Sequence, residues 1–256
     1  DTPHISYALG GTVMYATRDG DSWSITPVYA RSGEEAGTSI AIGPDNRPCI
    51  AFCHDTTGND NVQYATYDGT NWNSTLVETG TDFTKYMDRG EYRIDLVFNS
   101  AGQPGIVYNG TDKELHYAFN GGSGWGIENL YQYSVMFGDL DFDSADLPGV
   151  TFGGRLHYRK FDGSEWSDTD RFGDAYRSAE YTSLKFDSGD VAHIATFESY
   201  LDAIIYVFDD GAGWTVESVA EIDSGRSSAV SIGLDGTDTP HIAFYDHSYP
   251  AYAVKY

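Results

Sequence analysis

Apolar residues recur along the chain in short alternating runs, a pattern that predicts β-strands rather than helices. One run has the form Pro-His-Ile-Ala-Tyr and begins at Pro3, Pro48, Pro104, Pro148, Ala192 and Pro240. A second run, apolar-x-Tyr, ends at Tyr15, Tyr64, Tyr117, Tyr158, Tyr206 and Tyr256. Turn signals such as Asp-Gly separate these runs. We therefore expect an all-β chain built from one repeated unit.

Each repeat contains four short strands, which we name a to d in chain order. Strands b and c are the two runs just described, and a short run such as Ser39-Ile40-Ala41-Ile42 forms strand a. Strand d follows a Gly-containing turn and begins near Trp23, Trp72, Trp125, Trp166 and Trp214. Four antiparallel strands in each of several successive repeats predict the blades of a β-propeller. A two-sheet sandwich is the alternative, but it gives no reason for the repeat.

The number of blades depends on how the repeat begins and ends. The segment Asp1-Thr2-Pro3-His4-Ile5 recurs at residues 238–242, and counting the runs gives 22 strands. Because the sixth strand b is as apolar as the others, we predict six blades, the first without strand a and the last without strand d; five blades are the alternative. The predicted single domain spans 1–256, with repeat units near 1–30, 38–79, 92–130, 134–173, 181–220 and 228–256. The open edges also favour strand exchange between chains, or a longer repeat array.

Charge and composition exclude several classes of protein. The chain has 39 acidic and 15 basic residues, a net charge of −24, so it would repel nucleic acid and anionic membranes. Its apolar runs are too short to span a bilayer. Cys49 and Cys53 lie four residues apart on one predicted strand, about 13 Å at the usual rise, so we expect free, buried thiols.

The turn before each tryptophan resembles a known motif. Thr17-x-Asp19-Gly20-x-Ser22-Trp23 is similar to the Asp-box hairpin of sialidases and other sugar-handling propellers, shortened by one residue. The whole repeat resembles those of bacterial extracellular β-propeller proteins, which implies a secreted or cell-surface location. In that family the turn is structural, because its Asp bonds turn amides and its Trp packs between blades. The structural turn residues are then Asp19, Trp23, Asp68, Trp72, Trp125, Asp162, Trp166, Asp210 and Trp214.

Candidate binding residues are expected where single units depart from the repeat. The d-to-a and b-to-c links should emerge on one face, where aromatic and charged side chains could hold a sugar. The ligand-binding candidates are Arg31, Arg89, Tyr92, Arg177, Tyr181, Arg226, His54, Glu198 and Asp246. The alternative is that each Arg pairs with a neighbouring acid and fixes its link.

The histidines carry no metal-ligand spacing. His4, His193 and His241 occupy one position of strand b, where Cys49 and Gly105 stand in other units, so we interpret them as packed residues. His116 and His157 occupy the variable position of strand c. We expect these two side chains to be exposed.

Two further functions, catalysis and calcium binding, fit parts of the sequence. A sialidase-like glycoside hydrolase is the alternative enzyme, because Tyr92-Arg93-Ile94-Asp95 is similar to the motif that supplies one of its arginines. Structural calcium is the second, since Asp139, Asp141, Asp143 and Asp146 supply oxygen ligands, although an acidic strand face accounts for the same pattern.

We therefore predict a non-catalytic extracellular or cell-surface binding module with carbohydrate or protein as its ligand. It needs no cofactor, contacts neither nucleic acid nor the membrane interior, and is a monomer or an oligomer joined through unpaired blade edges. A hydrolase and a structural repeat segment of a larger surface protein are the alternatives.

Overall fold

Short antiparallel strands make up the regular structure of the chain. The computed structural model describes residues 2–30, 37–54, 60–81, 94–110, 114–133, 135–167, 170–172, 178–209, 213–222, 229–246 and 253–256. These residues form 22 strands and no helix. No helix long and apolar enough to cross a membrane therefore occurs among the described residues.

The strands follow the predicted four-strand repeat. In the first half of the chain they are β1 (His4–Leu9), β2 (Thr12–Asp19), β3 (Ser22–Ala30), β4 (Thr38–Ile42), β5 (Pro48–His54), β6 (Asp60–Tyr67), β7 (Trp72–Thr81), β8 (Ile94–Phe98), β9 (Pro104–Asn109), β10 (Leu115–Asn120) and β11 (Trp125–Tyr131). In the second half they are β12 (Met136–Phe142), β13 (Pro148–Gly153), β14 (His157–Lys160), β15 (Asp170–Arg171), β16 (Ala179–Phe186), β17 (Ala192–Glu198), β18 (Ala203–Asp209), β19 (Trp214–Glu221), β20 (Val230–Leu234), β21 (Pro240–Asp246) and β22 (Ala253–Lys255).

Consecutive strands pair antiparallel into six sheets, which we call blades 1 to 6. Their strand orders are β1-β2-β3, β4-β5-β6-β7, β8-β9-β10-β11, β12-β13-β14-β15, β16-β17-β18-β19 and β20-β21-β22. Blade 1 lacks strand a and blade 6 lacks strand d among the described residues, while the other four are complete. The all-β prediction of six blades with incomplete first and last members is confirmed, and the five-blade alternative is wrong.

The blades divide equally between two compact units, residues 1–133 and 134–256. Within the first unit, β4 lies beside both β1 and β8; within the second, β16 lies beside both β12 and β20. Adjacent blades of a unit therefore meet along their a strands, except that blade 1 meets blade 2 through its strand b. Whether residues 1–256 behave as one domain stays a prediction.

Side chains between adjacent blades form the hydrophobic core. A tyrosine of strand c meets the tryptophan of the next blade edge-on, at ring-centroid distances of 5.2 Å for Tyr15–Trp72, 5.3 Å for Tyr64–Trp125 and 5.1 Å for Tyr158–Trp214. Edge-to-face geometry is favourable for aromatic pairs at this separation. The recurrence of Tyr and Trp in the sequence thus reflects contacts between blades.

The a strands are also joined by side chains that cap backbone amides. Ser or Asp on one a strand accepts a hydrogen bond from the next a strand, at 3.0 Å for Leu96 N to Ser39 Oγ, 2.6 Å for Leu184 N to Asp139 Oδ2 and 3.2 Å for Ile232 N to Ser183 Oγ. These amides point away from their own sheet, so the neighbouring blade satisfies donors that an open sheet edge would leave unpaired.

Candidate functional site

Several predicted ligand residues lie outside the described part of the chain. These are Arg31, Arg89, Tyr92, Arg177 and Arg226, together with Asp210 of the predicted turn set. The ligand-binding role of the predicted arginines therefore stays a prediction. His54 ends β5, and its backbone alone is described.

Glu198 and Tyr181, two of the predicted ligand residues, lie in blade 5. Glu198 is fully buried, and its carboxylate accepts hydrogen bonds from the backbone N–H groups of Ser178, Tyr200 and Leu201 at 2.7, 2.8 and 2.9 Å. Tyr181 is buried with a φ of 56°, where the register of β16 shifts. Glu198 thus holds the d-to-a and b-to-c links of blade 5 together.

The carboxylate of Asp246, the last predicted ligand residue, lies 3.5 Å from the Nζ of Lys255 in the same blade. Its side chain is mostly buried, whereas that of Lys255 is half exposed. Such a pair helps to fix the end of β21 and contributes little to stability.

The recurring histidines of strand b have a structural role. His193 Nδ1 lies 2.5 Å from the hydroxyl of Tyr206, and its Nε2 lies 3.2 Å from Asp187 Oδ2 in the a-to-b turn. His241 bridges Tyr256 and Asp235 in the same way. Because the same Asp-His-Tyr chain occurs in two blades, it links a turn to two strands and is part of the repeat.

The structure confirms the prediction for the two cysteines of strand b and contradicts the prediction for the two histidines of strand c. Cys49 and Cys53 are buried and are not joined by a disulfide, as predicted. His116 and His157 are also buried, so the prediction that they are exposed is wrong. His157 stacks on Phe152 at 4.9 Å, and Gly110 of the b-to-c link covers His116. An inward-facing position of strand c therefore accepts an imidazole where a neighbour packs against its ring.

Blades 2 and 3 enclose a group of titratable side chains that we call the Glu78 cluster, formed by Glu78, Tyr108, Glu114 and His116. The Oε2 atom of Glu78 accepts a hydrogen bond from the Tyr108 hydroxyl at 2.7 Å and lies 2.9 Å from His116 Nδ1. The Nε2 atom of His116 lies 3.5 Å from Glu114 Oε2. That contact does not satisfy hydrogen-bond geometry, so we interpret it as electrostatic.

The Glu78 cluster departs from the repeat on strand d. Glu78 on β7 corresponds to Tyr29 on β3, and each pairs with the residue two before the c-strand tyrosine. Tyr29 packs on Phe52 with ring centroids 5.1 Å apart, whereas Glu78 bonds the tyrosine hydroxyl at the equivalent place. One aromatic contact between blades is thus replaced by a polar one.

A glycine fits the b-to-c link onto this cluster. A Cβ atom on Gly110 would lie 2.6 Å from the Cε1 and Nε2 atoms of His116, well inside van der Waals contact. The backbone of the link therefore lies directly on the imidazole ring, and a larger residue would displace one of them. This contact buries His116 while Glu78 and Glu114 stay accessible, with 22% and 29% of their side chains exposed.

The cluster is polarised as an acid and a base that stabilise each other's charge. Burial lowers the pKa of His116, but the carboxylates of Glu78 and Glu114 outweigh it, and the net pKa is raised. Burial likewise raises the pKa of Glu78, but the bonds from His116 and Tyr108 outweigh it, and the net pKa is lowered. The Tyr108 pKa is raised, first by burial and then by Glu78. Both shifts favour the charged forms of His116 and Glu78.

The described contacts of the Glu78 carboxylate all fall on one of its two oxygens. Both protein contacts use Oε2, and none of the described residues donates a hydrogen bond to Oε1. Among these residues, Oε1 is therefore left as an acceptor for hydroxyl groups.

Two of the turns before the tryptophans are held by their aspartates. Asp68 Oδ1 accepts the N–H groups of Thr70 and Asn71 at 2.8 and 2.7 Å. Asp162 Oδ1 does the same for Ser164 and Glu165 at 2.8 and 2.9 Å. Among the other predicted turn residues, Asp19 begins a turn at Gly20, Trp23 is exposed and Trp166 packs on Phe161 of its own blade. The longer third turn uses Asn120, whose Oδ1 accepts Gly122 N.

The acidic stretch of blade 4 is occupied by protein contacts. Asp139 and Asp141 accept amides of β16, and Asp143 Oδ2 lies 2.7 Å from Lys160 Nζ. Asp143 Oδ1 also holds two amides of its own turn. Among the described residues, no group of three or more His, Cys, Asp or Glu side chains could hold a metal ion. The acidic strand face therefore accounts for this pattern.

Known proteins resemble the chain in structure only. No protein-family model matches it, and no curated protein matches its sequence. The solved structure of the lectin AAL from Aleuria aurantia, in complex with Fucα1-6GlcNAc, is 10% identical, with a TM-score of 0.58 over 100% of this chain and 91% of that one. SapL1 lectin in complex with α-methyl fucoside is 14% identical, with a TM-score of 0.60 over 98% and 95% of the two chains.

A third similar structure is AofleA from Arthrobotrys oligospora, 13% identical with a TM-score of 0.57 over 99% of this chain and 81% of that one. The Aleuria aurantia lectin is described as a six-bladed β-propeller with a fucose recognition mode. With six antiparallel blades of its own, the present chain is a six-bladed β-propeller. At these identities the likeness concerns the fold.

Proposed function

We propose that this protein is a carbohydrate-binding module, active without catalysis outside the cell or on its surface. The observation that carries the proposal is the likeness of its fold to propeller lectins whose structures contain fucosides. We further propose that the ligand binds at the Glu78 cluster, on the side of the blades where the b-to-c and d-to-a links emerge.

The chemistry of the cluster supports this choice. Sugars present hydroxyl groups that donate hydrogen bonds to carboxylates and C–H faces that pack on aromatic rings. Glu78 Oε1 is a charged acceptor, and bonds to charged acceptors are stronger than neutral ones. His116 and Tyr108 fix the orientation of that carboxylate through Oε2. An oriented acceptor loses little entropy when a ligand binds.

Asp95 provides no support for the alternative hydrolase. Its Oδ1 atom accepts a hydrogen bond from Ser39 Oγ at 3.1 Å and from its neighbour Leu96 at 3.0 Å. This carboxylate joins two a strands. The preceding Tyr92 and Arg93 lie outside the described residues. We therefore propose binding alone as the function.

A glycan microarray followed by calorimetric titration tests the proposal. α-Methyl fucoside is the first soluble probe, because it is the ligand in a similar structure. We expect saturable binding to at least one glycan and a loss of about tenfold or more in affinity for Glu78→Gln, which removes one charged hydrogen bond. Glu217→Gln, the same change at an exposed position of β19, is the matched control.

The outcomes separate the fold-level proposal from the site. Binding that both variants retain would place the carbohydrate elsewhere on the propeller and contradict the Glu78 cluster as its site. No binding to any glycan would contradict the function itself. Turnover of a fluorogenic sialoside by the parent protein would show that catalysis had been wrongly left out.

A further inference from the structure

The turn between β10 and β11 differs from the equivalent turns in carrying a neutral amide. Asn120 stands there and is followed by Gly121. The other turns before a tryptophan begin with an aspartate, at Asp19, Asp68, Asp162 and Asp210. An asparagine side chain before glycine is open to attack by the next backbone nitrogen, because glycine has no Cβ atom to hinder the approach. Blade 3 therefore carries a reactive pair where the repeat has an aspartate.

The side chain of Asn120 is already folded toward the nitrogen that would attack it. Its Oδ1 atom accepts a hydrogen bond from Gly122 N at 2.9 Å, which turns the amide group forward over the backbone of Gly121. The same bond draws electrons from Cγ and stabilises negative charge that develops on Oδ1 during an attack. Residues 121–124 are exposed, and none of the described residues accepts a hydrogen bond from Gly121 N–H. Water and hydroxide can therefore reach that N–H group.

The aspartates of the equivalent turns share this geometry without the same reactivity. Asp68 and Asp162 each accept the N–H group two residues further on, at 2.8 Å. A carboxylate anion resists attack by a nitrogen nucleophile, so these side chains could react only when protonated. The backbone N–H groups of the two turns lower both pKa values, which makes the protonated form scarce at neutral pH. Asn120 is uncharged and lacks this protection.

A second Asn-Gly pair in the same blade is held back by its surroundings. Gly110 follows Asn109, and its N–H group donates a hydrogen bond to Glu114 O at 2.8 Å. Gly110 is also buried, with its backbone directly on the ring of His116. Its nitrogen must break the hydrogen bond and leave this contact before it can attack Asn109. The b-to-c link therefore offers an internal comparison in which the same two residue types have a protected backbone.

We propose that Asn120 is a site of spontaneous modification, where the asparagine is converted to aspartate or isoaspartate with water as the co-reactant. Hydroxide removes the proton from Gly121 N–H, and this nitrogen bonds to Cγ of Asn120. The Cγ–Nδ2 bond breaks, and ammonia leaves with a proton from water, which restores the hydroxide. Water then opens the five-membered imide: cleavage at Cγ gives aspartate, and cleavage at the main-chain carbonyl carbon gives isoaspartate. Nothing is oxidised or reduced.

The two products affect the fold differently. Aspartate leaves the backbone intact and gives blade 3 the charged acceptor that Asp68 provides in blade 2. Isoaspartate adds one carbon atom to the main chain at residue 120, which pairs with Trp125. The ring of Trp125 packs edge-on against Tyr64 of blade 2, with ring centroids 5.3 Å apart. Isoaspartate should therefore loosen the contact between blades 2 and 3.

Peptide mapping of the aged protein by mass spectrometry tests the site. The protein is incubated at pH 8.5 in water enriched in the heavy isotope of oxygen, and then cleaved after lysine and arginine, which separates Asn109 from Asn120. We expect acidic products at Asn120 that carry one heavy oxygen atom. They should form about tenfold or more faster than at Asn109, where a hydrogen bond must break first. Isoaspartyl methyltransferase with S-adenosylmethionine should methylate the isoaspartate fraction.

Gly121→Ala is the matched variant. A Cβ atom on Gly121 would lie 3.5 Å from Phe119 Cε1, an ordinary van der Waals contact, so the substitution should leave the turn folded. It keeps Asn120 but hinders the approach of the attacking nitrogen, and the products at Asn120 should form about tenfold or more slowly. The parent protein unfolded in urea is the reference in which the fold protects neither pair.

Three results would overturn the proposal. Products at Asn120 in the unfolded chain but none in the folded protein would show that the turn protects this residue. Equal rates at Asn109 and Asn120 in the folded protein would show that the open backbone of the turn has no influence. Products at Asn120 that form as fast in Gly121→Ala as in the parent would exclude the cyclic intermediate.

Discussion

Replacing Glu78 by Gln should destabilise the protein in a manner that depends on pH. The substitution removes the negative charge that lies 2.9 Å from His116 Nδ1, and leaves an amide oxygen that can still accept from Tyr108. A hydrogen bond to a charged group contributes about 1.5–3 kcal/mol. Because 22% of the Glu78 side chain is exposed, we expect the low end, about 1.5 kcal/mol.

The sign of the pH dependence follows from the two pKa shifts. The raised pKa of His116 gives stability that is fully present below its ordinary value of 6.5 and is lost as the pH rises through the folded value. The lowered pKa of Glu78 gives stability that is present above 4.5 and is lost as the pH falls through the folded value. The pair therefore stabilises the fold most between these two values.

Urea denaturation of the parent and Glu78→Gln at pH 5.5 and pH 8.5 measures the effect. The difference in unfolding free energy should be larger at pH 5.5, and the pKa of His116, followed by NMR, should fall in the variant. Glu217→Gln controls for the loss of one negative charge. Equal destabilisation at the two pH values, or an unchanged His116 titration, would refute the charged pair.

Two substitutions test the packing that surrounds the sites. Gly149→Ala should destabilise by about 1–3 kcal/mol, since the new Cβ would lie 2.5 Å from Phe186 Cζ; urea denaturation checks it, and an unchanged midpoint would show that the ring moves freely. Glu198→Ala should cost about 2 kcal/mol because it removes a buried charged acceptor from three backbone donors, and faster hydrogen exchange at Ser178 and Leu201 should accompany the loss. Unchanged exchange would mean that water replaces the carboxylate.

The repeat made the fold predictable from the sequence. Each unit restates the same alternation and the same turn, so an ambiguous run in one unit is resolved by its counterpart in the others, and even the missing strands of blades 1 and 6 could be counted. Trp125 illustrates this, because its turn departs from the pattern and its strand still falls where the repeat requires.

The site was harder to predict because its residues come from different parts of two blades. His116 was expected to be exposed since Met14, Gln63 and Lys255 share its position, but the backbone at Gly110 packs directly on its ring. Glu78 lies on strand d, where the sequence pattern predicted no binding residue. Its departure from the repeat was the available signal, because Glu78 occupies the position that Tyr29 has in blade 1, where Tyr29 packs on Phe52.

Amide chemical-shift mapping with a bound glycan is the most direct test of carbohydrate binding at the Glu78 cluster. The glycan selected by the microarray, or α-methyl fucoside, is titrated into isotopically labelled protein. We expect saturable shifts at Gly110, Glu114 and His116 and no shifts at the Asp68 turn. In Glu78→Gln the shifts at Gly110, Glu114 and His116 should be lost. Saturable shifts confined to other blades, or shifts that persist unchanged in that variant, would contradict it.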